Sequence, residues 1–477
     1  MKSYKMWIGG EWVEAQSGKT YTVVNPATEE KIAQVPLGDK ADVDKAVKAA
    51  RKAFPVWSKK PQAERSRILN KLATSLRKHV EELAQIDMLD HGSPAKTAHA
   101  YAGMVPIHFE TSAESAKDIM GIAELRPTPT SLPYLQREPI GVCGEITSWN
   151  IPLMVSAKIA AALATGNTCV MKAPSVDSLP GLRIAEILAE EPELPAGAAN
   201  LITGPGSTAG EALSSHPDVD MIAFTGSSET GKAIMAAASG TTKRLFLELG
   251  GKNPFIVLED ADFDAAIAGA LYGAFNNTGM ICVAPGRYYV HNNIYDKFVE
   301  RFIQEAKKVV VGNPSDPRTT MGPVVSAEHR DKIERYFKIG VDEGAKLVLG
   351  GKRPAEPPLN KGFFVMPTVF TEVTQNMTIA REEIFGPVAC FMRFSSEDEV
   401  IDMANDNIYG LCSYVCTKSL AKSLKFANAL HSGSVRINTN MGGGLPWGGF
   451  KQSGFGKEGF VMGLLEYTQV KSIVISQ

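Results

Sequence analysis

A chain of 477 residues is too long for one simple core and predicts two or three domains. Hydrophobic residues at 44% and charged residues at 21% predict large buried cores, and a net charge of −2 gives neither nucleic acid nor an anionic membrane an electrostatic handle. The six cysteines show no CxxC pair and no His-rich spacing, so no metal site is expected.

So few cysteines in so long a chain fit a reducing compartment. The stretch Met1 to Trp12 lacks the apolar run of a signal peptide, and no segment reaches 18 uninterrupted apolar residues. A cytoplasmic protein with no membrane partner is expected.

In chain order, Val43, Ala46, Val47, Ala50 and Phe54 recur at helical spacing over residues 39–54, with Asp39 or Asp42 as N-cap. A single long helix is predicted from Pro61 to about Asp90, carrying Ile68, Leu69, Leu72, Leu76, Val80 and Leu83 on one face and stopped by Gly92 and Pro94. Residues 122–138 are Pro/Thr-rich and extended. From about 140 the pattern becomes strands at Val142–Ile146, Thr168–Met171, Asn200–Thr203 and Met221–Phe224. Helical stretches at Met154–Ala164, Gly181–Ala189 and Thr208–Ser215 separate them. This alternation predicts an α/β fold with a parallel sheet covered on both faces. After Gly250-Gly251 the same style runs from Pro254 to about 440, predicting a second α/β unit; within it Cys412 and Cys416 fall on one side of a strand as buried thiols. The tail Gln469–Ser476 alternates like an exposed strand, whose edge needs cover from another subunit.

The chemistry centres on Cys282, in Phe275-Asn276-Asn277-Thr278-Gly279-Met280-Ile281-Cys282, with Glu248 upstream in Leu247-Glu248-Leu249-Gly250-Gly251-Lys252. One carboxylate can activate a thiol and later deliver water to its acyl-thioester. The stretch Phe224-Thr225-Gly226-Ser227-Ser228-Glu229-Thr230-Gly231 joins a strand to a helix running to Ala238. Glycine there admits a phosphate to the backbone and the helix N-terminus offers free N–H groups, although the same pattern also serves as an ordinary helix-start turn. No GxGxxG fingerprint is present at this turn. Gly204-Pro205-Gly206-Ser207 is a second such turn. Lys172 follows a strand, where it bonds either a ribose or phosphate group or solvent. Asn150, in Ser148-Trp149-Asn150-Ile151-Pro152, is either an oxyanion donor or a turn residue before proline.

Taken together, these segments resemble the NAD(P)-dependent aldehyde dehydrogenase superfamily. The resemblance spans essentially the whole chain, from Asn25-Pro26-Ala27-Thr28 to the tail. It includes Glu382-Glu383-Ile384-Phe385-Gly386-Pro387 and Pro446-Trp447-Gly448-Gly449-Phe450-Lys451-Gln452-Ser453-Gly454. It implies a Rossmann-like cofactor domain (1–121 and 139–250), a catalytic domain (251–445) and small β oligomerisation segments (122–138 and 446–477) in a homodimer or homotetramer. It implies Cys282 as nucleophile, Glu248 as base and Asn150 as oxyanion donor. Trp149, Lys172, Ser175, Gly204, Thr225, Gly226, Ser227, Gly231, Leu249, Glu383 and Phe385 are implied around the cofactor, and Asn276, Ile281 and Trp447 around the substrate.

The chain departs from the family pattern at four residues and one loop. Ser175 stands where the family usually has a glutamate that repels a 2′-phosphate, so NADP is expected alongside NAD. Met280 replaces a glutamine, and His329 replaces another, either as a packing residue or near the ribose. Asn276 replaces a common aromatic, and the loop Met441-Gly442-Gly443-Gly444-Leu445 is read as short and free of bulky side chains at the tunnel mouth; its glycines also suit positive φ angles. With Trp447 as a wall, a roomy, partly polar entrance for bulky or aromatic aldehydes is expected. A CoA-acylating relative lacks the base that Glu248 supplies here, and a non-catalytic scaffold relative loses catalytic groups that are all present. An unrelated cysteine hydrolase needs a histidine, and none lies near Cys282 in sequence.

Overall fold

The computed structural model describes residues 1–119, 122–124, 128–442 and 444–476. Residues 125–127 of the extended segment and Gly443 of the glycine loop lie outside the described residues.

Two sheets carry the architecture. The first is built from β1 (Met6–Ile8), β2 (Glu11–Val13), β3 (Val142–Ile146), β4 (Thr168–Lys172), β5 (Ala199–Ile202), β6 (Met221–Thr225) and β7 (Arg244–Glu248). The second contains β8 (Asn253–Val257), β9 (Pro285–His291), β10 (Lys346–Leu349), β11 (Thr368–Thr371), β12 (Val388–Phe394), β13 (Cys412–Cys416) and β14 (Ser434–Ile437). A short strand, β15 (Gly454–Phe455), returns to the first sheet, whose order is β15-β7-β6-β3-β4-β5-β1-β2. The five strands from β7 to β5 run parallel, with antiparallel strands at both edges. The chain moves outward from β3 through β4 to β5, then restarts on the other side of β3 with β6 and β7. That reversal opens a crevice at the carboxyl ends of the strands, where α/β proteins place their ligands. The second sheet, ordered β10-β11-β12-β9-β8-β13-β14, is parallel except at β10.

Strands β3 to β5 are buried along their whole length, because helices cover both faces. Helix α1 (Lys40–Trp57) starts at Asp39, whose carboxylate accepts from the Ala41 N–H at 2.9 Å while Asp42 accepts from the Asp39 N–H at 3.0 Å. It continues past residue 54 through Pro55, a position in the last turn where a missing N–H costs one bond, and ends on the buried Trp57. The single helix expected over 61–90 is two, α2 (Gln62–Lys78) and α3 (Val80–Asp90), broken at His79 (φ −107°, ψ 10°). The apolar stripe runs through both, so periodicity does not reveal the bend; the bend lets each half pack on α4 (Ala95–Ile119).

The tail expected over 446–477 divides. Strand β15 extends the first sheet, and Leu464 and Tyr467 enter the core of that unit. Only Thr468–Ser476 stands apart, paired antiparallel with Ser131–Pro139, which in turn pairs with Ile122–Glu124. Among the described residues no helix is long and apolar enough to cross a membrane.

Candidate active site

The strand ends deliver the side chains. Lys172, Thr225 and Glu248 are the last residues of β4, β6 and β7, and Asn150 lies in the turn after β3. Ser227 caps the next helix, Ser228–Ala238, accepting from the Thr230 N–H at 3.2 Å, so that helix aims its N-terminus at the crevice. Trp149, Asn150, Thr225, Gly226 and Ser227 line a cavity of about 370 Å³. Its remaining walls include Glu248, Leu249, Cys282, Glu383 and Phe385, so both sheets contribute to it.

Cys282 sits in the loop between helix Phe263–Phe275 and β9. Asn277 (φ 47°), Thr278 (φ 55°) and Gly279 (φ 71°) are successive left-handed residues, and the first two carry the steric cost of a side chain there. The Asn253 amide donates to the carbonyls of Cys282 (2.8 Å) and Ala284 (2.9 Å), bracing the loop from β8. Burial pushes the Cys282 thiol up to about 12, with Glu248 and Glu383 adding in the same direction. At neutral pH it is a thiol that needs a base.

Glu248 lines the same cavity. Burial holds it well above the ordinary carboxylate range, Glu458 raises it further, and Lys158 and Lys457 oppose the shift. Its Oε1 is buried without a hydrogen-bond partner. A side chain at Gly448 would strike the Gly456 carbonyl at 2.3 Å and would also meet that carboxylate oxygen at 3.0 Å. Lys158 and Glu458, ion-paired at 3.2 Å, border this carboxylate. Neither was expected from sequence, where Lys158 only interrupts an apolar run.

The Asn150 amide accepts from the Ser148 hydroxyl (2.7 Å) and donates to the Met280 carbonyl (3.2 Å), two residues before Cys282. Glu383 is half-buried, accepts from the Gly251 N–H at 2.9 Å, and is pushed up to about 7 by desolvation of its carboxyl group. Phe385 adopts φ 61°, and its carbonyl accepts at 2.7 Å from His329 Nε2. The rings of Trp149 and His329 lie 4.9 Å apart and those of Trp149 and Phe385 5.3 Å apart. Burial pushes His329 down to about 4, so it packs as a neutral donor in the cavity wall.

Lys172, Ser175 and Gly204 form a separate group at the ends of β4 and β5. The Gly204 carbonyl accepts from Lys172 Nζ (3.3 Å) and from the Ser175 hydroxyl (2.9 Å). Gly231 does not line the cavity; a side chain there would meet Leu249 at 2.7 Å, so its smallness seats Leu249.

Trp447 lines a second cavity of about 300 Å³, between α4 and the loop before β15, with Lys158 and Glu458 also in its wall. Met104 and Ile107 give it an apolar side; His108, Thr111 and Ser112, on one face of α4, give it a polar one. The mouth differs from expectation. Met441 and Leu445 are bulky, about two-thirds exposed, and flank the glycines. The expected substrate residues Asn276 and Ile281 line neither large cavity. Asn276 lies beside the partly buried Tyr101 phenol, and Ile281 faces a small void with Gly279 and Glu383.

The aldehyde dehydrogenase family model matches residues 12–473. The chain is 44% identical over 476 residues to betaine aldehyde dehydrogenase of Bacillus subtilis (strain 168), covering 99% of this chain and 97% of that protein. It is 44% identical over 483 residues to aldehyde dehydrogenase 1A1 of Homo sapiens, covering 99% and 94%. Among solved structures, betaine aldehyde dehydrogenase of Staphylococcus aureus in complex with NAD+ superposes with a TM-score of 0.96 at 41% identity, covering 99% of this chain and 95% of that one. With a family match over nearly its full length, the chain belongs to the aldehyde dehydrogenase family.

Proposed function

We propose that this chain oxidises a bulky or aromatic aldehyde to its carboxylic acid with NAD(P)+. One observation carries the reading: Cys282, Glu248 and Asn150 share a cavity with a capped helix N-terminus and with Glu383. The residues fit a dinucleotide. The helix N-terminus and the nearby Lys332 and Arg335 suit a pyrophosphate, the half-buried Glu383 suits ribose hydroxyls, and Phe385 offers a ring face. Lys172 and Ser175, gathered on the Gly204 carbonyl at the strand ends, have the donors that suit an adenosine ribose.

Glu248 takes the Cys282 proton as sulfur attacks the carbonyl carbon, forming a thiohemiacetal. The Asn150 amide and the Cys282 N–H bind the oxyanion. NAD(P)+, when bound, supplies the acceptor for the hydride that leaves carbon. Glu248 first passes the Cys282 proton outward along the Lys158–Glu458 pair; as a carboxylate it then deprotonates water for attack on the thioester, and the proton taken from water goes to the departing sulfur, releasing acid and free thiol. The second cavity, with Trp447 opposite a polar helix face, supports a bulky substrate. In its wall Glu458 pairs with Lys158, which leaves Lys457 as the charge that disfavours a cationic one.

The two sheets support a division into a cofactor domain (1–121 and 139–250) and a catalytic domain (251–445). All six cysteines are free, which supports a reducing, cytoplasmic setting. A substrate panel tests the reading. We expect kcat/KM for benzaldehyde to exceed that for acetaldehyde and for betaine aldehyde at least about tenfold. A clear preference for acetaldehyde overturns the bulky-substrate reading, and no reduced cofactor from any aldehyde overturns the activity.

A further inference from the structure

We propose that His91 is a positioning residue for the oxyanion pocket, acting on Asn150 and on the nucleophile loop through Asn277. The inference rests on the reading of Asn150 as oxyanion donor.

His91 lies just past the end of α3 and is fully buried, lining neither large cavity. Its Nδ1 is 2.7 Å from Asp177 Oδ2 and its Nε2 is 3.2 Å from Asn277 Oδ1. Asn277 is buried too, and its orientation is fixed by two backbone acceptors. Its Nδ2 donates to the Asn150 carbonyl at 2.9 Å and to the Met280 carbonyl at 3.4 Å. A carbonyl cannot donate, so the amide oxygen must face His91. His91 Nε2 therefore carries a proton and donates it.

The other ring nitrogen then faces Asp177 with a second proton shared between them. Burial pulls the imidazole down, but Asp177 and Asp87 outweigh it and hold His91 up at about 9. The groups around the ring are Asp87 and Asp90 from α3, Ser93, Asp177 after β4, and Asn277. Asp87 is buried beside the ring, with His91 as the cation that faces it and the Ser93 hydroxyl next to its carboxyl group. Both ends of the brace sit on left-handed residues, Asp177 (φ 71°) and Asn277 (φ 47°), and neither is glycine. Backbone of this kind persists where surrounding bonds over-determine it.

The consequence is geometric. Asn277 ties the turn after β3 to the loop two residues before Cys282, and the Met280 carbonyl also accepts from the Asn150 amide at 3.2 Å. The two groups that must converge on one oxygen, the Asn150 amide and the Cys282 N–H, hang from this junction. His91 and, more weakly, the Ser93 hydroxyl at 3.4 Å are the side-chain donors that hold it from behind.

The test compares the full-length wild type with His91→Met, which has no donor, His91→Gln, which keeps an N–H at similar reach, and Asn150→Ala. Benzaldehyde and NAD+ are the probes. The readouts are the pre-steady-state burst of NADH, KM, and the rate of Cys282 alkylation by iodoacetamide, which needs no oxyanion pocket. We expect His91→Met to slow the burst about 10- to 100-fold, part of what removal of an oxyanion donor costs. KM and alkylation should stay within about twofold of wild type, and His91→Gln should recover most of the rate. In the Asn150→Ala background His91→Met should add almost nothing, because both act on one oxygen. A His91→Met burst near wild type beside a slowed Asn150→Ala overturns the inference, as does a fully additive loss. If Asn150→Ala leaves the burst unchanged, the oxyanion reading itself fails. Should His91→Met not fold, Asn277→Asp removes the donors to both carbonyls while keeping an acceptor for His91, and a wild-type burst from it overturns the proposal equally.

Discussion

A thiol pushed up to about 12 and a carboxylate held far above its usual range depend on each other. Each charge is costly in the same space, so in the proposed mechanism sulfur gains its charge as the carboxyl gains the proton. Glu248 is raised, so activity that needs its carboxylate form is absent at low pH and appears as pH climbs above the ordinary carboxylate range. Replacing it separates the two chemical steps. Glu248→Gln should still produce a burst of reduced cofactor and then stall, with steady-state kcat down at least about a hundredfold. Stopped-flow absorbance reads both phases, and normal turnover near neutral pH refutes the assignment. Cys282 and Glu248 were legible because both sit in short, distinctive segments. Lys158 and Glu458 were not, because their ion pair joins positions 300 residues apart and neither stands in a recognisable pattern. The His91–Asn277 contact spans 186 residues and was equally hidden.

Strand ends decide what the sheet can hold. β4 and β5 bring Lys172, Ser175 and Gly204 together through the two bonds received by the Gly204 carbonyl. No carboxylate stands at position 175, so nothing there repels a 2′-phosphate. The wild type should use NADP with a kcat/KM within about a thousandfold of that for NAD, a gap of about 4 kcal/mol. Ser175→Glu should lower kcat/KM for NADP about a hundredfold and leave NAD within a few-fold. Steady-state assays with both cofactors read the ratio, and an unchanged ratio removes Ser175 from the cofactor's neighbourhood. The strands themselves were readable, since fully buried parallel strands are short apolar runs bounded by turns. Val142–Ile146 falls where its run predicts, and β4 and β6 each extend one residue further. The bend at His79 was unreadable for the opposite reason: Ile68 to Leu83 keep one stripe across it, and only α4, the partner helix, requires the two directions.

At the scale of the molecule, one element has no core beneath it. Ser131–Pro139 and Thr468–Ser476 pair over nine residues each, yet Val470, Val474 and Ile475 are exposed. A small antiparallel sheet that presents apolar side chains to water and leaves Thr468–Ser476 as its edge is unstable against association. A second copy of the chain satisfies both needs at once, because a two-fold contact buries the same patch on each subunit. The wild type should therefore run at a multiple of 51.3 kDa, as a homodimer or homotetramer. Val470→Asp combined with Val474→Asp places two desolvation costs on one face of that strand, where both side chains are exposed. Light scattering after size exclusion should then show a smaller assembly, with a loss of order from the tail detectable as faster amide exchange over 468–476. A wild type that elutes at 51.3 kDa, or a double variant with unaltered mass, shows that the sheet is not the surface that joins subunits.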